Sequence, residues 1–161
     1  MARIDYPERG LGEHIDWALL RPKMAMGMGA LSEAVYEHST LPLREREAAR
    51  WTIALINECA VCQGTRARDG AAAHIDEGFY AEVANRMTSE VLTPREQLAA
   101  EFAQRFALDH QGMDDELWTR LHAQFADDEL ADLTICCGMW LGMGRTMAVI
   151  GVSAPEEQIL V

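Results

Sequence analysis

The sequence predicts an all-α fold, a compact orthogonal domain of about six to eight helices, and three observations carry that prediction. Hydrophobic residues fill 49% of the 161 positions but aromatic ones only 7%, so the core must be built from Ala, Leu, Ile, Val and nine Met. That mixture suits packed helices better than sheets. Runs of alternating β-branched residues are absent, and apolar residues instead recur three and four apart behind capping residues. No Ser/Gly linker and no internal repeat divides residues 1–161, which read as a single domain.

The elements follow in order. Residues 26–38 read as a helix weakened by Gly27 and Gly29, each of which costs helix stability. Leu43 to Ile56 places Ala48, Trp51, Ala54, Leu55 and Ile56 on an apolar stripe and leaves Arg44, Glu45, Arg46 and Arg50 on a wetter face. Asn57 suits either a left-handed helix end or the cap of a following helix, which puts a tight turn at 57–59. A third helix then carries Cys62 to about Ala73 and ends near His74. Residues 77–87 read as another. Thr93-Pro94-Arg95-Glu96 combines a capping Thr, a Pro at the first helical position and a Glu three residues after the cap, so a helix starts there and stops near Asp109 to Gly112. Residues 114–123 and 127–149 complete the set, the last with Asp127 or Asp128 where the helix dipole favours negative charge.

Charge narrows the function classes. Twenty-six acidic against fourteen basic residues give a net charge of −12, which repels phosphate backbones and anionic lipid, so neither nucleic acid nor a membrane surface is an expected partner. The start of the chain carries Arg3, Asp5, Glu8 and Arg9 without an apolar stretch, unlike a secretory signal, and the expected location is the cytoplasm. Residues 133–152 come nearest to a membrane span but contain Arg145 and four glycines, which fits a buried core or subunit-interface helix better.

In a reducing compartment a close cysteine pair points to redox or metal chemistry rather than to a structural staple. Cys59-x-x-Cys62 falls at an expected helix start, where amide donors and the positive dipole end favour thiolate over thiol and bring the pKa below the free value of ~8.5. Three residues apart, the two sulfurs lie on one side and can close a disulfide. Zinc would need further ligands, and no second Cys-x-x-Cys or His pair supplies them, so no metal and no cofactor is expected. Cys136 and Cys137 are adjacent on an apolar helix, point ~100° apart, and read as inert core thiols.

From Leu43-Arg44-Glu45-Arg46-Glu47 through Trp51 to Asn57-Glu58-Cys59-Ala60-Val61-Cys62, the sequence resembles the alkylhydroperoxidase D-like branch of the carboxymuconolactone decarboxylase superfamily. The motif-bearing stretch covers residues 41–73, with a Glu twelve residues before the first Cys, as in that branch. Four residues after the second Cys the family has a His, where this chain has Arg66, and Val61 stands where Tyr or His is common. The resemblance implies that Cys62 attacks the oxidant, Cys59 resolves it, and Glu47 activates the attacking thiol through the His. It also implies a homo-oligomer, a trimer or hexamer, acting on a small peroxide or disulfide with an unidentified reductant. A guanidinium stays charged and cannot relay a proton, although it can stabilise a thiolate. Twelve residues of unbroken helix span ~18 Å, so Glu47 reaches the cysteines only if the chain folds back at Asn57. In that hairpin an ion pair between Glu47 and Arg66 is expected to replace the Glu–His contact. The dipole argument favours attack by Cys59 and the resemblance favours Cys62; the sequence leaves both open.

Other residues carry weaker signals. His74 reads as a solvated helix-end histidine rather than a substitute proton carrier. Glu58 would raise a neighbouring thiol's pKa as readily as act as its base. Arg145 needs a carboxylate, a carbonyl or an anion. Met24, Met26 and Met28 can line a pocket or fill core, and Gly138-x-x-x-Gly142 permits close helix approach at a subunit interface. Three functions follow: a dithiol oxidoreductase, a non-redox oligomeric small-molecule-binding protein of the same fold, and a ring decarboxylase or lactone enzyme like the founding members. The last does not depend on a dithiol, so the motif argues against it.

Overall fold

Side-chain caps set half of the helix starts in the computed structural model, which describes residues 2–154 and 159–161. Thr93 accepts from the Glu96 amide at 3.2 Å while the Glu96 carboxylate accepts from the Thr93 amide at 3.0 Å, a reciprocal cap that starts α6, Pro94–Leu108. Earlier in the chain lie α1, Glu13–Asp16; α2, Pro22–His38; α3, Leu43–Ile56; α4, Ala60–Gln63; and α5, Glu77–Ala84. Later come α7, Asp115–His122, and α8, Asp127–Ile150. Asp76 and Asp114 cap α5 and α7 through their carboxylates. Helix α8 ends at Gly151, which takes the left-handed conformation at φ 79°. The described residues thus form eight α-helices, as an all-α fold requires, with one two-residue parallel pairing of β1, Thr65–Arg66, and β2, Ile159–Leu160.

Helix α3 is the central element, packed against α4, α5, α6 and α8. Ile53, Phe102, Leu117, Leu121, Leu133 and Cys137 fill the main core, and emptying a site such as Phe102 to Ala costs about 3–5 kcal/mol. A smaller cluster of Cys59, Val61 and Val152 sits under the chain's two ends, with Trp17, Cys62 and Ile159 against it. Helix α8 is long and apolar enough to span a membrane by composition, but Leu133, Cys137 and Trp140 on it belong to this core.

Four expectations need correction. Helix α2 starts at Pro22, not residue 26, because Pro at the first helical position fixes the entry and neither Gly27 nor Gly29 is crowded. Most of the face of α3 expected to be wet is buried: Arg44 stays partly exposed, but Glu45, Arg46 and Arg50 are at most 9% exposed, because each charge finds an opposite charge or a carbonyl inside. The helix expected to carry Cys62 to Ala73 stops at Gln63, since Gly64 ends it and the next two residues pair with β2. Helix α5 ends at Ala84 rather than Met87, closed by Asn85.

Candidate functional site

The turn between α3 and α4 was legible, but its residues divide the labour differently from expectation. Asn57 neither takes the left-handed conformation nor caps α4. Glu58, exposed, has φ 49°, and Cys59 is the cap, its sulfur accepting from the Cys62 amide at 3.2 Å. The Asn57 amide instead donates to the Trp140 and Leu141 carbonyls of α8 and accepts from Arg145 at 3.2 Å. That is the partner Arg145 required, although its side chain is exposed rather than buried.

Cys59 and Cys62 are joined as a disulfide with their Cα atoms 5.2 Å apart. Their surroundings differ. Cys59 is 1% exposed, inside the small cluster, whereas Cys62 is half-buried and forms part of the wall of a cavity of about 420 Å³. Met28, Tyr36, Trp140 and Met143 supply apolar wall, His14 and Trp17 stand on the N-terminal side, and Ile159 and Val161 close the C-terminal side. Of the Met24, Met26 and Met28 trio only Met28 faces this cavity; Met24 and Met26 are exposed. Gly144 lies so close that a Cβ there would come 3.1 Å from the Cys62 sulfur and 2.8 Å from Asn57 Nδ2.

The expected ion pair between Glu47 and Arg66 does not form. Glu47, with no exposed surface, is gripped by Arg50: Nε reaches Oε1 at 2.8 Å and Nη2 reaches Oε2 at 2.7 Å, while the Tyr80 hydroxyl donates to Oε2 at 2.9 Å. Arg66 turns outward to Glu77 at 2.7 Å and lays its guanidinium over Tyr80 at 4.5 Å and Trp51 at 5.1 Å. The physical reason is proximity: Arg50 is one turn from Glu47 on the same helix, and Arg66 sits on a strand beside exposed Glu77.

Arg50 also donates to the Cys62 carbonyl at 2.9 Å and the Thr65 carbonyl at 3.1 Å, tying buried Glu47 to the end of the cysteine helix. Burial alone would push Arg50 down, but the Glu47 charge outweighs it and holds the guanidinium protonated, above its ordinary range. Burial likewise raises Tyr80, to about 12, and Tyr36. Sequence reasoning missed Arg50, whose three-residue spacing from Glu47 was a readable signal, and Tyr80, whose distance along the chain gave none. His74 is exposed at φ 55° and lies outside the cavity wall. Cys136, beside Asp132, is pushed up to about 12, chiefly by burial, and Cys137 well above its ordinary value, as inert core thiols would be.

No family model and no curated protein matches this chain. Solved structures do. One is a protein of unknown function from Agrobacterium tumefaciens, suggested to be the antioxidant defence protein AhpD, with TM-score 0.79 and 21% identity over 89% of this chain and 99% of that one. An uncharacterized peroxidase-related protein from Ralstonia eutropha JMP134, with an alkylhydroperoxidase AhpD core, gives 0.75 and 18% over 96% and 93%. A peroxidase-related protein from Silicibacter sp. TM1040 gives 0.72 and 18% over 86% and 73%. Helix order, topology and these likenesses agree on one conclusion: the chain has the alkylhydroperoxidase D-like fold.

Proposed function

We propose that the protein is a dithiol oxidoreductase that cycles Cys62 and Cys59 between dithiol and disulfide. The observation that carries this reading is the asymmetry of the pair: one sulfur borders a cavity, and the other lies buried behind it within bonding reach. In the reduced protein the Cys62 thiolate attacks a peroxide oxygen; an S–O bond forms, the O–O bond breaks, and the departing alkoxide takes a proton. Cys59 then attacks the sulfenic sulfur, forming the disulfide and releasing water, and an external thiol reductant returns two electrons and two protons. A disulfide substrate is reduced by the same sulfurs through thiol exchange.

Arg50, not Arg66, is the cation at the site. Its charge is fixed and paired with Glu47, so it holds the end of the cysteine helix through the Cys62 and Thr65 carbonyls but cannot shuttle the proton that the family's His carries. The cycle requires a reducing compartment, which favours the cytoplasm. Copies of the chain assemble through the open side of α8, where Ile135 and Val149 are exposed beside Gly138 and Gly142.

The test is a thiol count on reduced protein before and after one equivalent of peroxide. Two thiols should disappear and return with dithiothreitol, and in Cys62→Ser the remaining Cys59 thiol should persist through peroxide treatment. Peroxide consumption unchanged in a Cys59→Ser, Cys62→Ser double variant would overturn the reading.

A further inference from the structure

We propose that two copies of the chain pair antiparallel along the exposed face of α8, about a twofold axis at the Cys136–Cys137 peptide, with Asp128 of each copy meeting Arg145 of the other. The proposal rests on the reading that copies meet on α8, gives that meeting a direction and a register, and does not depend on the cysteine chemistry.

Spacing defines the face. Asp128, Ala131, Ile135, Gly138, Gly142 and Arg145 follow one another at alternating intervals of three and four residues, and all of them are exposed. That alternation keeps one line of residues turned toward a neighbouring helix when the two supercoil gently around each other. Nothing in the same chain covers the middle of the line. A Cβ added at Gly138 or Gly142 would meet no atom within 4 Å, and Ile135 is 59% exposed.

Symmetry identifies the occupant as a second copy. Ile135 with Gly138, Ala131 with Gly142, and Asp128 with Arg145 are three pairs that share one midpoint, the Cys136–Cys137 peptide. A copy turned about an axis there sets Ile135 against Gly138, Ala131 against Gly142 and Asp128 against Arg145, each contact occurring twice, as a twofold interface requires. Large then faces small, and each charge faces its opposite. Asp127 and Thr146, also exposed, exchange places under the same rotation, so no like charges meet. A parallel pair would instead stack Asp128 on Asp128, Arg145 on Arg145 and glycine on glycine.

Both charged groups have bonding capacity to spare. Arg145 donates from Nε to Asn57 Oδ1 at 3.2 Å, while its two terminal amino groups make no hydrogen bond among the described residues. Asp128 Oδ1 accepts from the Glu129 amide at 3.0 Å, and Oδ2 accepts nothing among the described residues. Guanidinium and carboxylate can therefore join at each end of the pair through charge-assisted hydrogen bonds. The face carries one charge of each sign, so the net charge of −12 on each copy opposes pairing mainly over longer distances, where salt screens it. Between the ends, the glycines let the two helix axes approach to about 8 Å. Ile135 of the partner subunit then enters the open groove beside Gly138 and Gly142, walled by Phe106 and Leu141.

Sedimentation velocity on the full chain over a range of concentrations reads the pairing. Arg145→Asp places carboxylates together at both ends and Asp128→Arg places guanidinium groups there, so each should weaken pairing at least about tenfold. Mixed in equal amounts, the two variants should pair with each other at close to the unaltered affinity, because every end again joins opposite charges. The chain carrying both substitutions should pair with itself. Gly138→Leu loads the contact between copies and not the fold of either, so it should also weaken pairing about tenfold and decides the matter if a charge variant unfolds. Where another face also joins copies, the loss reads as a halving of the assembly's mass. Single charge variants that pair as tightly as the unaltered protein, no recovery in the mixture, or an unaltered protein that stays a single chain would overturn the proposal. Pairing should be unchanged in a Cys59→Ser, Cys62→Ser protein, so failure of the redox reading leaves this contact standing.

Discussion

At the scale of single residues, the site is organised around a buried ion pair whose members were recognisable only in part. Glu47 was identifiable from its spacing to Cys59, and its partner was misassigned because a family motif points to position 66 while helix geometry points to position 50. Two buried charges this close depend on each other, since either alone would be an unpaired charge in low dielectric. Glu47→Ala should therefore destabilise the fold by about 3–5 kcal/mol in urea unfolding, and Glu47→Leu combined with Arg50→Met should recover much of the loss. Arg66→His should leave peroxide turnover within a factor of about three, because a histidine there finds Glu47 already held by Arg50 and Tyr80. A large gain in rate with this variant would mean that Glu47 is free to serve a relay.

At the scale of elements, the starts of helices were legible and the ends less so. Thr93, Asp76 and Asp114 announce α6, α5 and α7 through capping chemistry confined to a few adjacent residues. The early end of α4 was not legible, because it depends on a pairing with residues 159 and 160, almost a hundred positions away. The same holds for the contact between α4 and α8. Gly144 permits it, and Asn57 fixes it by reaching the carbonyls of α8. Gly144→Ala would press on an Asn57 nitrogen already committed to two acceptors and on the Cys62 sulfur, so it should cost about 1–3 kcal/mol in thermal or urea unfolding. Gly138→Ala, in open space, serves as the control and should cost nothing comparable.

At the scale of the whole molecule, the all-helical class followed from composition and periodicity, whereas the cavity did not, because its wall draws on both ends of the chain as well as α2, α3, α4 and α8. The Tyr6 hydroxyl, and then the Ser153 amide, hold the Glu13 carboxyl down to about 2, from an unfolded value of ~4.3. A lowered folded pKa contributes stability that is complete above the unfolded value and is lost as pH falls through the folded one. Protection of the Ser153 amide against hydrogen exchange, taken relative to its intrinsic rate at each pH, should therefore fall between about pH 4 and pH 2, and Glu13→Gln should leave it low and flat across that window. Exchange in the core of α3 and α6 should not follow the same curve.

The redox cycle depends on Cys62 being the sulfur that meets incoming molecules. Reduced, native protein treated briefly with substoichiometric iodoacetamide and mapped by peptide mass should carry the label on Cys62, with Cys59, Cys136 and Cys137 modified only after unfolding. Label appearing first on Cys59, or equally on both members of the pair, would contradict it.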